Sequence, residues 1–233
     1  ADYSQIDLRM LAHISGDPAL CEAFRRGDDI HTRTACEIFG VIPQDMTPEL
    51  RRVAKSINFG IVYGISAFGL AQQLQISAEE AQKHIQRYFE RYPGVKAWID
   101  QVLKEAREQG SVRTLLGRVR YLPEILSKNG QIRGFAERTA MNTPIQGTSA
   151  DVIKLAMLRL SEARVRGEWS GAMLLQVHDE LLFEIPESDL QHAMPVIRKH
   201  METAVTLSIP VTVDLKTGVN WSEMTPVRKE TVS

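Results

Sequence analysis

Cysteine is almost missing from this chain: Cys21 and Cys36 are the only two among 233 residues. They lack metal-ligand spacing and fall in helix-like segments, which excludes a disulfide scaffold or zinc module and fits packing roles in a reducing compartment. Long apolar runs are also lacking. No stretch approaches the roughly 20 residues that cross a bilayer, and the first residues do not form a signal peptide, so no membrane partner is expected. Charge of one sign is not in excess. Lys and Arg number 28 against 29 Asp and Glu, a formal net charge of −1, so any basic surface must be local and offset elsewhere. No Gly-x-x-x-x-Gly-Lys-Ser/Thr loop occurs, which excludes a Walker-type phosphate site. Repeats, low-complexity tracts and long linkers are absent as well. What remains is ordinary globular composition, 43% hydrophobic and 24% charged, with enough length for one large domain or two modest ones. The chain opens on Ala1 rather than Met, directly before Asp2, and is expected to be a piece of something longer.

Most of the sequence reads as helix. Thr47-Pro48-Glu49 is a start signal, with a Thr N-cap, Pro at the first helical position and an early acid, and the helix should run to about Tyr63-Gly64. Ser77-Ala78-Glu79-Glu80 is a capping box for a helix that Pro93-Gly94 interrupts and Gly110 ends. Another helix is expected from about Ile132 to Asn142, kinked or broken by Pro144. One more follows Gly147 and closes near Gly167. Ser188 with Gln191 should cap the last long helix, whose apolar stripe runs from Leu190 to Val205. Strands gather near the two ends: the run around Asp2, the runs Ala172–Val177 and Leu181–Ile185, and Val211–Leu215. If the end strands share one sheet, the helical block is an excursion from it.

Two constellations carry chemistry. Val177-His178-Asp179-Glu180 interrupts two apolar runs as a hairpin turn does, and a carboxylate held there can present its oxygens to a hard cation. A polar turn is routine by itself, but Asp2 stands in a similar setting at the other end of the chain, and a shared sheet would bring the two together. The second constellation is Arg51, Lys55, Phe59 and Tyr63, every fourth residue on one helix face about 18 Å long. Its cationic half suits polyphosphate and its aromatic half suits a base or sugar. Spacing alone leaves a solvated Arg/Lys end followed by core aromatics equally open. Gly60 and Gly64 in the last turns weaken the helix and so imply close approach or bending.

These residues resemble a family. Asp2-Tyr3-Ser4-Gln5-Ile6-Asp7-Leu8-Arg9 is similar to motif A of the family A DNA polymerases, the bacterial DNA polymerase I group. The stretch from Arg51 to Gly64 is similar to motif B, and Val177-His178-Asp179-Glu180 to motif C, all three in the family's order. Asp29-Ile30-His31-Thr32, Gly117-Arg118, Asn142 to Gly147 and Gly218-Val219-Asn220-Trp221 also look familial, so the resemblance covers essentially the whole chain.

The resemblance implies an α+β, right-hand polymerase fold in which helical fingers are inserted in a small antiparallel palm sheet and the thumb is missing. Residues 1–16 and 127–233 would be palm, and 17–126 fingers. Asp2 and Asp179, with the Tyr3 carbonyl, would bind two Mg²⁺ ions, one activating the primer 3′-hydroxyl and the other neutralising the triphosphate. Glu180 would be peripheral. Arg51 and Lys55 would hold the β- and γ-phosphates of a dNTP, Lys55 also protonating the pyrophosphate, with His31 as a third phosphate contact. Phe59 would pack on the base and sugar, and Tyr63 near the templating base. Phe59 has no hydroxyl, a feature similar to members that disfavour dideoxynucleotides. Gln5 and Asp7 would line the nucleotide site. Gln146 and Asn142 would probe the minor groove, where the acceptors are common to all correct pairs. Arg138 and Arg118, and Arg133 more weakly, would meet DNA phosphates, and His178 the primer end.

One position departs from the pattern: Asp7 stands where the family usually has Glu, and its shorter side chain should leave more room at the 2′ side of the sugar. The expected partners are primer-template DNA and dNTP, acting on a monomer in a bacterial cytoplasm at the nucleoid. Two other readings stay open on the sequence, a single-subunit RNA polymerase core and a non-catalytic nucleic-acid-binding remnant. The isolated piece is expected to expose an apolar palm face and to lack activity without a thumb.

Overall fold

The computed structural model describes residues 1–227; residues 228–233, the end of the stretch expected to be palm, lie outside the described residues. Strand β1 (Asp2–Tyr3) leads at once into α1 (Ile6–Ser15), α2 (Pro18–Arg26), α3 (Ile30–Phe39) and α4 (Pro48–Val62). Then follow α5 (Ala67–Leu74), α6 (Ala78–Arg91) and α7 (Pro93–Gln109). A small hairpin, β2 (Ser111–Arg113) with β3 (Val119–Tyr121), precedes α8 (Gly130–Asn142) and α9 (Thr148–Val165). The rest is β4 (Ala172–Val177), β5 (Glu180–Glu184), α10 (Leu190–Glu202), β6 (Val213–Asp214), β7 (Lys216–Thr217) and β8 (Thr225–Pro226). The fold is α+β, helix-rich with small antiparallel sheets, as expected.

The chain packs as two compact units, one made of Ala1–Ile6 with the described residues from Ser149 onward, the other of Asp7–Thr148. By packing, residues 7–16 and 127–148 therefore go with the helical unit, although they were expected in the palm.

The first unit is built on a sheet with strand order β4-β5-β1-β6, antiparallel throughout. Both chain ends thus meet in one sheet, as the element order implied. β1 has only two residues and is held by its neighbours. The Tyr3 N–H donates to the Asp179 carbonyl (3.2 Å), the Leu181 N–H to the Ala1 carbonyl (2.8 Å), and the Ser4 N–H to the Thr212 carbonyl (2.9 Å). The buried Tyr3 hydroxyl donates to the Met201 carbonyl at the end of α10 (2.8 Å). The core of this unit includes Leu160, Leu181, Ile197 and Met201, all almost fully buried, each stabilising by about 1.5–3 kcal/mol. Leu174 and Leu175 on the edge strand are half exposed, and a cavity of about 570 Å³ opens beside Leu174, Phe183, Met194 and Trp221. An exposed apolar face is thus present, as expected.

In the second unit, Thr47 caps α4 through its hydroxyl, which accepts the Leu50 N–H (3.2 Å), and the helix ends at Val62 with Tyr63 as C-cap. Ala54, Ile57, Asn58 and Ile61 form its buried face. The two glycines have distinct reasons. A Cβ on Gly60 would stand 2.6 Å from the Ile65 side chain, and Gly64 has φ +67°. Ser77 accepts the Glu80 N–H (3.1 Å) at the start of α6. A cluster including Val102, Ala106, Val112, Leu122, Ala136 and Ala140 fastens the β2–β3 hairpin between α7 and α8.

Several expectations need correction. Helix α8 ends at Asn142 as expected, but Pro144 does not leave a gap in the winding. Residues Thr143–Gly147 form a π-helical turn that passes α8 directly into α9, the wider turn absorbing a residue without an N–H. Ser188 does not cap α10. Its hydroxyl donates to Asp189 Oδ1 (3.1 Å), and the helix is entered from a 3₁₀ turn at Glu187–Asp189. That helix stops at Glu202, short of Val205, and the strand expected over 211–215 is only Val213–Asp214. The β2–β3 hairpin was not foreseen.

Candidate active site

In the first unit, sequence and geometry converge on the motif C hairpin. Val177 and Glu180 pair directly across a two-residue turn of His178 and Asp179, with His178 at φ +53°. Asp2 on β1 stands opposite Glu180 on one side and opposite Asp214 of β6 on the other. Backbone register alone therefore sets Asp2 beside Asp179 and Glu180. The electrostatics follow. Burial, then the negative charges of Asp179 and Glu180, push the Asp2 carboxyl up to about 6, against the pull of Lys216 and the N-terminal amine. Acids that repel one another in a partly desolvated pocket form a site short of cations. Among the described residues no group of three His, Cys, Asp or Glu side chains forms a ready metal cage. Two carboxylates and a carbonyl suit a hard divalent ion that takes its remaining ligands from water or phosphate, the usual habit of Mg²⁺. His178 is exposed at the same turn, its carbonyl accepting from the Gln176 amide (3.2 Å). Gln5 has φ +54° just after β1.

The second unit carries the cationic and aromatic stripe. Arg51 and Lys55 are exposed on α4, and Phe59 and Tyr63 continue the line with rings nearly parallel (24°) and 6.2 Å apart. Arg51 is not idle: its Nε donates to Asp29 Oδ2 (2.7 Å). Asp29 is also the N-cap of α3, its Oδ1 accepting from the N–H groups of His31 and Thr32. Burial raises the Asp29 carboxyl, but the bonds from Arg51 and the Thr32 amide outweigh it, leaving it below its ordinary value. His31 sits 5.7 Å from the Phe59 ring and is almost wholly buried. Burial, with Arg51 and Lys55 nearby, lowers it to about 4 against the opposing pull of Asp29, so it is neutral at pH 7. Its Nδ1 faces the Asn58 amide nitrogen at 3.0 Å. The Tyr63 hydroxyl donates to Asp7 Oδ2 (3.2 Å).

A second cluster in this unit gathers three of the expected DNA contacts, Arg118, Asn142 and Gln146. A polar cavity of about 320 Å³ is lined by Arg118, Arg120, Asn142, Gln146 and Thr139, among others. Asn142 Oδ1 is buried without a hydrogen-bond partner among the described residues, and Gln146 is exposed. Arg138 lies on α8 against Gly64 rather than in this cavity, and Arg133 donates to the Ser127 carbonyl (3.0 Å).

Four residues escaped the sequence reading. Asp29 was seen only as part of a motif, although an Asp ahead of a helix start is the ordinary cap signature. Asn58 could have been found, because a lone amide inside the buried 54-57-58-61 face must have a partner. Lys216 and Arg120 had no such signal.

A helix-rich α+β fold with an acid pair on one small sheet, and with a cationic and aromatic helix face in its helical unit, is of partial polymerase type. The family model for DNA polymerase family A matches residues 1–223, and the chain belongs to that family. It is 52% identical over 224 residues to DNA polymerase I of Streptococcus pneumoniae, and 55% identical over 222 residues to that of Geobacillus stearothermophilus. The alignments cover 96% and 95% of this chain but 26% and 25% of those proteins. The chain thus spans about a quarter of the length of these curated relatives. Among solved structures it resembles the POL domain of Pol1 from M. smegmatis in complex with DNA primer-template and dNTP, with a TM-score of 0.87 and 47% identity. That match covers 90% of this chain and 37% of the other.

Proposed function

We propose that this chain supplies the metal-binding and nucleotide-binding parts of a DNA-templated DNA polymerase, which transfers a nucleotide from dNTP to a primer 3′-hydroxyl in replication and repair. The observation that carries the reading is the register of β1 against the Asp179–Glu180 hairpin, which sets Asp2 among negative charges that Lys216 only partly offsets. Asp2 and Asp179, with the Tyr3 carbonyl, would hold two Mg²⁺ ions, and Glu180 would tune the field from the periphery. When bound, the metal supplies Lewis acidity at the primer hydroxyl and at the leaving phosphates.

The chain's own residues do the rest. Lys55 meets the β- and γ-phosphates as a mobile charge and gives the departing pyrophosphate its proton. Arg51, holding Asp29 through Nε, has its Nη atoms for the same oxygens. Phe59 stacks on the base and sugar, Tyr63 serves the templating position, and Gln5 and Asp7 bound the sugar. Gln146 and Asn142 take the minor groove, Arg118 and Arg138 the DNA phosphates, and His178 the primer terminus. Residues around the sheet are the palm and the inserted helices the fingers. The parent acts as a monomer in the bacterial cytoplasm at the nucleoid.

The relatives' name, DNA polymerase I, and the dNTP in the structural neighbour support this reading over RNA synthesis. Primer extension by the full-length polymerase carrying Asp179→Asn tests it. Extension should fall about a thousandfold, the equivalent of about 4 kcal/mol of lost transition-state stabilisation. Retention of near-parental extension would refute the assignment.

A further inference from the structure

Four buried polar groups of the helical unit stand in line: the Tyr92 hydroxyl between α6 and α7, the Thr34 hydroxyl on α3, the Asn58 amide on α4 and the His31 ring on α3. Tyr92 Oη lies 3.4 Å from Thr34 Oγ1, which lies 3.1 Å from Asn58 Oδ1; Asn58 Nδ2 lies 3.0 Å from His31 Nδ1. A hydroxyl has one proton and an amide has two unlike ends, so the direction of one bond sets the others. Thr34 gives its proton to Asn58 Oδ1, an atom that only accepts. Tyr92 must then donate to Thr34. The nitrogen end of Asn58 is left facing His31, and since it only donates, Nδ1 must accept. The opposite polarity would leave one hydroxyl proton, of Tyr92 or of Thr34, with no acceptor among the described residues, a buried donor unsatisfied at real cost.

We propose that Tyr92, Thr34 and Asn58 are positioning residues that hold His31 as the Nε2–H tautomer, so that it offers an incoming triphosphate a neutral hydrogen-bond donor beside two cations. The phosphate step rests on the function proposed above; the tautomer does not. A second proton is opposed by burial and by Arg51 and Lys55 on α4, with Asp29 at the start of α3 pulling the other way. Neutrality has a use. A third full charge on this face would hold pyrophosphate more tightly after transfer, whereas a donor without charge orients the oxygen and lets it leave.

Long-range ¹H–¹⁵N NMR on the ¹⁵N-histidine-labelled chain reads the ring directly, with His31 assigned by the signals lost in His31→Gln. At pH 7 the expected pattern is a protonated Nε2 with a bare Nδ1. Protonated Nδ1 in the parent chain would overturn the proposal. Asn58→Asp replaces the donor by a carboxylate, so His31 should become doubly protonated at pH 7; a ring that stays neutral and Nε2-protonated in the folded variant would also overturn it. Tyr92→Phe is the milder variant. It removes the proton that sets the polarity, and a population with Nδ1 protonated should appear; its absence counts against a directional chain. A dNTP titration separates the two readings. If the parent shows the Nε2–H ring and dNTP leaves its signals unmoved, the tautomer lock stands and the phosphate role of His31 falls.

Discussion

Asp2 in the sheet unit and Asp29 in the helical unit are the same residue in opposite circumstances. Asp29 is surrounded by donors, two helix N–H groups and the Arg51 guanidinium, and its carboxyl lies below the ordinary range. Asp2 is partly desolvated beside Asp179 and Glu180, and its carboxyl is pushed up to about 6. In the helical unit Asp29 meets its charge with local donors and His31 stays neutral. In the sheet unit Lys216 offsets only part of the repulsion that Asp2 meets from Asp179 and Glu180. A satisfied acid is scaffold; a frustrated one marks a place where an external cation belongs.

The contrast can be broken most strongly at Asp2. Asp2→Asn should lower nucleotidyl transfer by the full-length polymerase about a thousandfold. It should also raise the metal-free stability of this chain at pH 8, by about 1 kcal/mol once solvent screening is allowed for. The sign follows from the shift. Because the folded carboxyl titrates near 6 and an ordinary one near 3.8, the fold binds the extra proton in that window and loses stability as pH rises through it. Mg²⁺ should accordingly raise the melting temperature at pH 8 and hardly at pH 5; equal effects at both would contradict the partly offset repulsion at Asp2.

The next effect belongs to the other unit and has the opposite slope. His31 titrates near 4 when folded and near 6.5 when not, so the unfolded chain binds the extra proton between these values. Stability should rise with pH across this window and fall as acid is added. His31→Gln should flatten that limb of the stability curve by on the order of 3 kcal/mol, measured by urea unfolding from pH 4 to pH 7. An unchanged slope would show that His31 does not refuse its proton.

A smaller change should sharpen sugar selection. Asp7, bonded to the Tyr63 hydroxyl, leaves more room than Glu, and one methylene is worth roughly tenfold or more in discrimination. Asp7→Glu in the full-length enzyme should lower ribonucleotide relative to deoxynucleotide insertion by about that factor. No gain would remove the steric account.

Much of this was legible before any coordinates. The hairpin at Asp179 followed from two strand runs around a polar pair. The Arg51 to Tyr63 face followed from a four-residue repeat behind a Thr-Pro-Glu start. The meeting of the chain ends followed from element order. Other features were not legible, for physical reasons. The β2–β3 hairpin has three-residue strands, too short for alternation to register, and depends on contacts with α7 and α8. The passage through Pro144 depends on a π-helical turn that no spacing rule announces. Ser188 is followed by the acceptor that takes its hydroxyl proton. The Tyr92–Thr34–Asn58–His31 line joins residues far apart in the chain, and only Asn58 hinted at it.

The two-residue β1 has a consequence for how this polymerase lineage can vary. The hydrogen bonds that fix where Asp2 stands come from main-chain amides and carbonyls at Ala1, Tyr3, Ser4, Asp179, Leu181 and Thr212, groups that every residue type except proline supplies in full. Mutation can therefore rewrite the side chains around the acids without altering their separation. The placement of Asp2 is inherited through the backbone, while the side chains around it are free to drift.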